Sequence, residues 1–340
     1  MDDEPNVAIP GQPQTLKPWY RILRLPMLLT VPGEPIAGFL LASAAGGQSK
    51  PLGVMLAAVG AAIFFAVFDH LLNDLLDLSV DETTHPERPL PAGEITLPQV
   101  RMAAIVSVLS GLNLALFAGR AVLYAGVGLC CLILARQAFL KRIPLVGACT
   151  AGLCRALSLL LGVLSVDPSW MQNGRFFSRD GALLGVAFAC VAFYSAAVRH
   201  LATQSPSRST SGETIAEQPS PPPDGNLARW LPFAVLLPCL VGLMLLVSFR
   251  QNGGTGVSAV NTAATSALAF LSAIALLRGW LLGGILYRCQ PLEATVSGHN
   301  GNLLLIQGAL CSAAGTAGLF PAITFILLSV LFNRLVRSPR

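Results

Sequence analysis

The chain has 340 residues, of which 54% are apolar and 11% charged, with a mean hydropathy of +0.65. A soluble domain carries roughly 25% charged residues, so the composition excludes a water-soluble globular fold and points to an all-α, polytopic integral membrane bundle. The net charge of +5 comes without a basic stripe carrying interleaved aromatics, which argues against nucleic acid as a partner and for anionic membrane lipid.

In chain order, the N-terminal Met-Asp-Asp-Glu lacks the basic region and small-residue cleavage site of a signal peptide, so the first span is expected to remain in the product. Residues 1–19 read as a mobile cytoplasmic N-terminus and 20–336 as one transmembrane domain. Apolar stretches of about 18 to 22 residues can cross a hydrocarbon core at about 1.5 Å per residue. They are predicted at 27–45, 52–72, 100–118, 121–139, 145–166, 181–200, 229–248 and 263–286. The run from Leu303 to Phe332 is too long for one untilted span, and Gly318 with Pro321 could divide it, for a total of nine or ten. Between the sixth and seventh spans, 203–226 is Ser/Pro-rich and reads as a flexible cytoplasmic loop.

Lys and Arg concentrate before the first span (Lys17, Arg21, Arg24) and after the second (Arg88, Arg101), fourth (Lys141, Arg142) and sixth (Arg199, Arg208, Arg229). Positive charge stays on the cytoplasmic side, which places the N-terminus and these loops there, in a cell (inner) membrane. Arg334, Arg337 and Arg340 would prefer the same side, which favours an even number of spans. Seven of the eight cysteines lie in apolar spans, without C-x-x-C pairs or His at zinc spacing, and read as packing residues. Phe64, Phe65, Phe68, Tyr194, Trp280 and Tyr287 could line a cavity, with lipid-facing or interfacial positions the default.

The stretch from Asn73 to Ile95 carries the chemistry. On a helix, Asn73, Asp74, Asp77 and Asp81 share an arc of about 100°, so four oxygen-bearing side chains are expected to converge. Three carboxylates together repel one another unless a cation sits among them. Magnesium suits such oxygens and is commonly completed by substrate phosphate. An ordinary solvated helix end is the competing reading. Asp69 falls outside the arc and reads as a helix-packing partner. Arg155, inside the fifth span, is a cation in an apolar setting and a candidate to face a cavity.

Asn73-Asp74-x-x-Asp77-x-x-x-Asp81, followed by Arg88-Pro89-Leu-Pro91-Ala-Gly93, resembles the first aspartate-rich motif of the UbiA superfamily of intramembrane prenyltransferases. Arg21-Ile-Leu-Arg-Leu-Pro and Phe139-Leu-Lys141-Arg142 are similar to further family segments, and Gly152 to Gly162 resembles the EboC-like subgroup, with Ser158 where Asn is usual. The resemblance implies a helical bundle with a lipid-open cavity and a magnesium diphosphate site at its cytoplasmic rim. The implied reaction moves an isoprenoid from a prenyl diphosphate to an aromatic, quinone or other lipophilic acceptor. It implies Mg2+ on Asp74, Asp77 and Asp81, diphosphate contacts from Asn73, Arg88, Lys141, Arg142 and Arg199, and catalytic roles for Asp74, Asp77, Lys141 and Arg155. Positive-inside anchoring accounts equally for Lys141 and Arg142.

The family's second aspartate-rich motif, expected at the end of the sixth span, is replaced here by Tyr194-Ser-Ala-Ala-Val-Arg199-His200. Arg199 could bind phosphate oxygens directly, or diphosphate ionisation could be lost. The alternatives are therefore a non-catalytic protein that binds or translocates a lipophilic metabolite, and an ion-coupled transporter, for which the sequence offers little beyond Arg155 and the Gly318–Pro321 break.

Overall fold

The computed structural model describes residues 16–46, 50–171, 178–203, 227–252, 259–284 and 292–337, and among them there is no strand. The helices are α1 (Leu16–Ile22), α2 (Leu25–Leu28), α3 (Gly33–Gly46), α4 (Leu52–Leu76), α5 (Leu78–Thr84), α6 (Leu97–Ala118), α7 (Arg120–Ala138) and α8 (Pro144–Val166). They continue as α9 (Arg179–Ala202), α10 (Leu231–Asn252), α11 (Ala259–Gly283), α12 (Leu292–Ala313) and α13 (Leu319–Arg337). Most of the expected loop 203–226, the N-terminal fifteen residues and Cys289 lie outside the described residues. Helix α1 begins at Leu16, inside the segment expected to be mobile.

Eight stretches among the described residues are long and apolar enough to span a membrane, and they match the eight spans expected up to residue 286. The first is interrupted: α2 ends at Leu28, and α3 alone, with 14 residues, is about 21 Å long, short of a hydrocarbon core. The C-terminal run is divided as expected, with a different start. Helix α12 opens at Leu292, not near Leu303; its first half carries His299, Asn300 and Asn302, which hid it from a reading by hydropathy. The break falls at Ala314–Gly318, where Gly315 takes φ 93°, a left-handed value that favours glycine. Pro321 then sits in the first turn of α13, where its missing N–H costs nothing.

Two apolar cores meet on α8. One gathers α4, α6 and α7 (Ala58, Phe65, Leu71, Val100, Ala115, Leu129), and the other gathers α3 with α9 to α13 (Leu41, Val191, Leu240, Leu271, Leu304, Phe325). Leu159, Val163 and Val166 give α8 one stripe for the second core, while Leu161 and Leu164 face the first. Such helical spacing is what a helix buried on two sides requires. On the outside, Met102, Ile105, Val106 and Leu109 form an exposed apolar stripe on α6, suited to lipid.

Glycines set the closest helix approaches. A Cβ at Gly38 would stand 2.1 Å from the Leu159 carbonyl oxygen, at Gly162 2.0 Å from that of Pro35, and at Gly152 2.1 Å from that of Ala192. Backbones of α3, α8 and α9 therefore touch directly, the arrangement that small residues permit in membrane bundles. On the other side of α8, Phe65 of α4 fills notches at Gly111 of α6 and Gly126 of α7.

Candidate functional site at the end of α4

Helix α4 ends at Leu76 because Asp77 leaves the helical region (φ −93°, ψ 0°), although its N–H still reaches the Asn73 carbonyl at 2.9 Å. Helix α5 resumes at Leu78, and the chain then turns through Arg88-Pro89-Leu90-Pro91-Ala92-Gly93. The Ala92 N–H donates to the Arg88 carbonyl (2.9 Å) and the Gly93 N–H to that of Leu90 (3.1 Å), with Gly93 at φ 72°. That is a physical reason for a glycine at this position of the motif. Helix α6 then starts with a capping box between Thr96 and Gln99.

The aspartates do not converge on one point as the helical wheel predicted, and no three-carboxylate group assembles among the described residues. The kink at Asp77 turns Asp81 off the shared face, and each carboxylate has its own cation. Arg24 Nη2 donates to Asp74 at 2.9 Å, Lys141 Nζ to Asp77 at 2.6 Å, and Arg88 Nη1 to Asp81 at 2.5 Å. Asn73 links the first two, its amide donating to Asp74 (3.3 Å) and its oxygen accepting from Lys141 (3.4 Å). Asp74 is 7% exposed. Arg24, read from sequence only as a topology marker, is in the left-handed region (φ 50°), which separates α1 from α2.

Behind this rim lies a cavity of about 270 Å³. Arg24, Asn73 and Arg199 stand among its polar lining, while Ala62, Phe65, Leu129, Ile133, Val198 and Leu303 make it apolar. Of the sequence candidates, Asn73, Arg155 and Arg199 line it directly. Arg199 is exposed and forms no ion pair among the described residues. Arg142 is exposed on the 3-10 turn after α7 and does not reach the cavity, and the Asp81–Arg88 pair also lies off its lining. Asp74, Asp77 and Lys141 are likewise off the lining and meet beside Asn73, while Asp81 pairs with Arg88, so the single centre expected for the three aspartates does not form.

Asp69 is held by Arg136 and by Gln137, whose amide donates at 2.8 Å, so it is indeed a helix-packing partner, although it also borders the cavity. Phe65 and Tyr194 correct the lipid-facing default, being 1% exposed and part of the lining. Trp280 is 44% exposed, and Tyr287 lies outside the described residues. The Tyr194 hydroxyl lies 3.1 Å from His299 Nδ1 and accepts from Asn302 at 3.2 Å, which gives two of the buried polar side chains of α12 a partner. The seven described cysteines are free.

The donor set suits a hard cation. Asn73, Asp74 and Asp77 offer oxygen ligands, and a Lys ammonium already sits against two of them.

Among known proteins, the chain is 27% identical over 161 residues to the digeranylgeranylglyceryl phosphate synthase of Sulfurisphaera tokodaii, covering 46% of this chain and 56% of that protein. It is 25% identical over 166 residues to the protein of the same name from Methanoculleus marisnigri, covering 49% and 54%. The chain thus spans about half the length of these relatives. Its fold aligns with a structure from work on digeranylgeranylglyceryl phosphate synthase in membranes at TM-score 0.56 and 17% identity, covering 90% of this chain and 99% of that one. A UbiA homolog from Aeropyrum pernix K1 in its apo form aligns at TM-score 0.55 and 14% identity, covering 83% and 96%. The UbiA prenyltransferase family profile matches residues 35–282, and with the motif at the end of α4 and the helical bundle around it, the chain belongs to the UbiA prenyltransferase family.

Proposed function

We propose that this protein is a membrane-embedded prenyltransferase that takes an isoprenoid diphosphate at the rim and delivers the isoprenoid to a lipophilic acceptor in the cavity. The observation that carries this reading is the joining of a charged rim, with Asp74, Asp77, Arg24 and Lys141, to a cavity whose interior is mostly apolar. A diphosphate head and a hydrocarbon tail require those two environments side by side.

Asn73, Asp74 and Asp77 would hold Mg2+, which when bound offsets negative charge on the diphosphate. Asp81 is left out of this set because the helix break at Asp77 turns it away from Asn73 and Asp74. Arg24 and Lys141, freed from their aspartates, would turn to phosphate oxygens, and Arg199 would contribute guanidinium charge where the second acidic motif is missing. Lys and Arg asymmetry supports a rim on the cytoplasmic side of the membrane. Membership in the EboC-like subgroup rests on Gly152 to Gly162, a segment whose two end glycines also serve close helix packing.

A second reading, a protein that binds or passes a lipophilic metabolite without chemistry, is favoured by Arg199 and by the internal neutralisation of each rim aspartate. Pyrophosphate release from geranylgeranyl diphosphate by the protein in nanodiscs separates the two. Release that needs Mg2+ and is lost in the Asp74→Asn, Asp77→Asn variant supports transfer. Metal-dependent binding without release, across chain lengths and with acceptors present, supports the second reading.

A further inference from the structure

Inside the bundle, polar side chains of the spans find one another. Arg155 of α8 and Gln307 of α12 both donate to Glu34 Oε1 of α3, at 2.8 and 2.9 Å. Gln137 of α7 donates to Asp69 of α4, and Asn302 of α12 to the Tyr194 hydroxyl of α9. The three amide side chains Gln137, Asn302 and Gln307 are all buried. Hydrocarbon imposes this, because a polar group turned to lipid tails finds no hydrogen-bond partner there.

Asn113 of α6 does the opposite. It is exposed, and it continues the outward stripe of Val106 and Leu109 toward Leu116 and Phe117, all more than half exposed. It stands five residues, about 7.5 Å, inside the Ala118 end of a 22-residue span. A side chain at that depth could reach water by turning toward the nearer surface. Instead the Asn113 Nδ2 donates to the Leu109 carbonyl at 2.9 Å, four residues back and therefore deeper in the membrane. The second N–H and the oxygen of the amide have no partner among the described residues. Ser110, three residues earlier on the same face, is half-buried. Where Ser107 and Ser312 bond the carbonyl four residues back, the Ser110 hydroxyl forms no hydrogen bond among the described residues.

A carboxamide both donates and accepts, so it is complementary to itself. Two copies of a chain in one membrane share the same orientation, and a two-fold axis along the bilayer normal sets α6 parallel to its own copy. Asn113 then faces Asn113 at one depth, and each amide can donate to the oxygen of the other. Lipid tails offer neither group, and a different protein would need a matching polar group at that same level. We propose that the outer face of α6 is the contact surface of a homodimer, joined by reciprocal Asn113 amide hydrogen bonds, with Ser110 beside them and Val106, Leu109, Leu116 and Phe117 packed around. The assignment is independent of the prenyltransferase reading.

The test measures energy transfer between copies of the full chain, labelled at the N-terminus with donor or acceptor dye, in lipid vesicles over a range of protein-to-lipid ratios. The unaltered protein is expected to associate saturably. Asn113→Leu should raise the dissociation constant about tenfold, the scale of two interhelical hydrogen bonds in a membrane. Asn113→Gln, which keeps the amide, should raise it about threefold or less, and Phe320→Leu, on the exposed face of α13, should leave it unchanged. A monomer at every dilution, a dimer that Asn113→Leu leaves as tight, or an equal weakening by Phe320→Leu would each overturn the assignment. Asn113 bonds only its own helix, so Asn113→Leu should melt like the parent, and lost association is thereby distinguished from lost fold.

Discussion

The rim at the end of α4 and the polar centre around Glu34 are both made of paired charges, yet they are built differently. At the rim each carboxylate has one cation from a different segment, with side chains such as Arg24 and Lys141 38% and 21% exposed. Around Glu34 a single oxygen gathers three donors from two helices, and the carboxylate is fully enclosed. At the rim the cations reach water although Asp74 and Asp81 are themselves buried, so these one-to-one pairs should exchange partners at less cost than an enclosed, shared pair. The rim is arranged for charge to come and go, and the interior centre for charge to stay.

The largest effect should come from emptying the rim of acid. The Asp74→Asn, Asp77→Asn variant should lose pyrophosphate release by roughly a hundredfold or more, the scale of removing preorganised charge stabilisation, while keeping a normal melting temperature. A coincident fall in thermal stability would mean that the aspartates serve the fold, and the contrast with Glu34 would vanish.

Next comes the interior pair. Arg155→Met leaves Glu34 buried without its cation and should cost about 3–5 kcal/mol, read as a drop in thermal midpoint in detergent. Adding Glu34→Gln should recover most of the loss. If Arg155→Met melts like the parent, Glu34 is not held as a charge, and the interior centre is no firmer than the rim.

Smaller and confined to binding, Arg199→Gln should raise the Kd for geranylgeranyl diphosphate about tenfold, the worth of one charge-assisted contact. An unchanged Kd would assign the head group to Arg24 and Lys141 alone. Smallest of all, Arg21→Ala removes an ion pair with Glu94 whose side chains are 38% and 37% exposed, and should change stability by about 1 kcal/mol or less. A larger loss would show that the bond from Arg21 to the Glu87 carbonyl ties the motif loop to α1.

The same contrast explains what could be read from the chain. Asn73, Asp74 and Asp77 were legible because they are neighbours on one helix, and helical spacing relates them directly. Arg155 stood out as a cation in an apolar span. Its partners did not, since Glu34 and Gln307 lie 121 and 273 positions away from Arg155 and from Glu34 respectively, and only the packing of α3, α8 and α12 unites them. The wheel misplaced Asp81 because it assumed one uninterrupted helix through Asp77. Lys141 and Arg142 were indistinguishable as adjacent basic residues until the 3-10 turn sent one to Asp77 and left the other outside. Eight spans followed from hydropathy alone, and the start of α12 escaped because its polar residues mask it from hydropathy, although Tyr194-bound Asn302 is buried in the bundle.

The glycine crossings of α3, α8 and α9 bear on how the bore of the cavity can vary. With Gly38, Gly162 and Gly152 already bringing main chain against main chain, these three helices act as a fixed gauge that cannot be drawn tighter. Nor can larger residues be inserted at those crossings without levering the helices apart. Any tailoring of the chamber to a longer or bulkier guest therefore falls to the side chains along its wall, and pocket size in this protein becomes a matter of which side chain is trimmed rather than of which helix is moved.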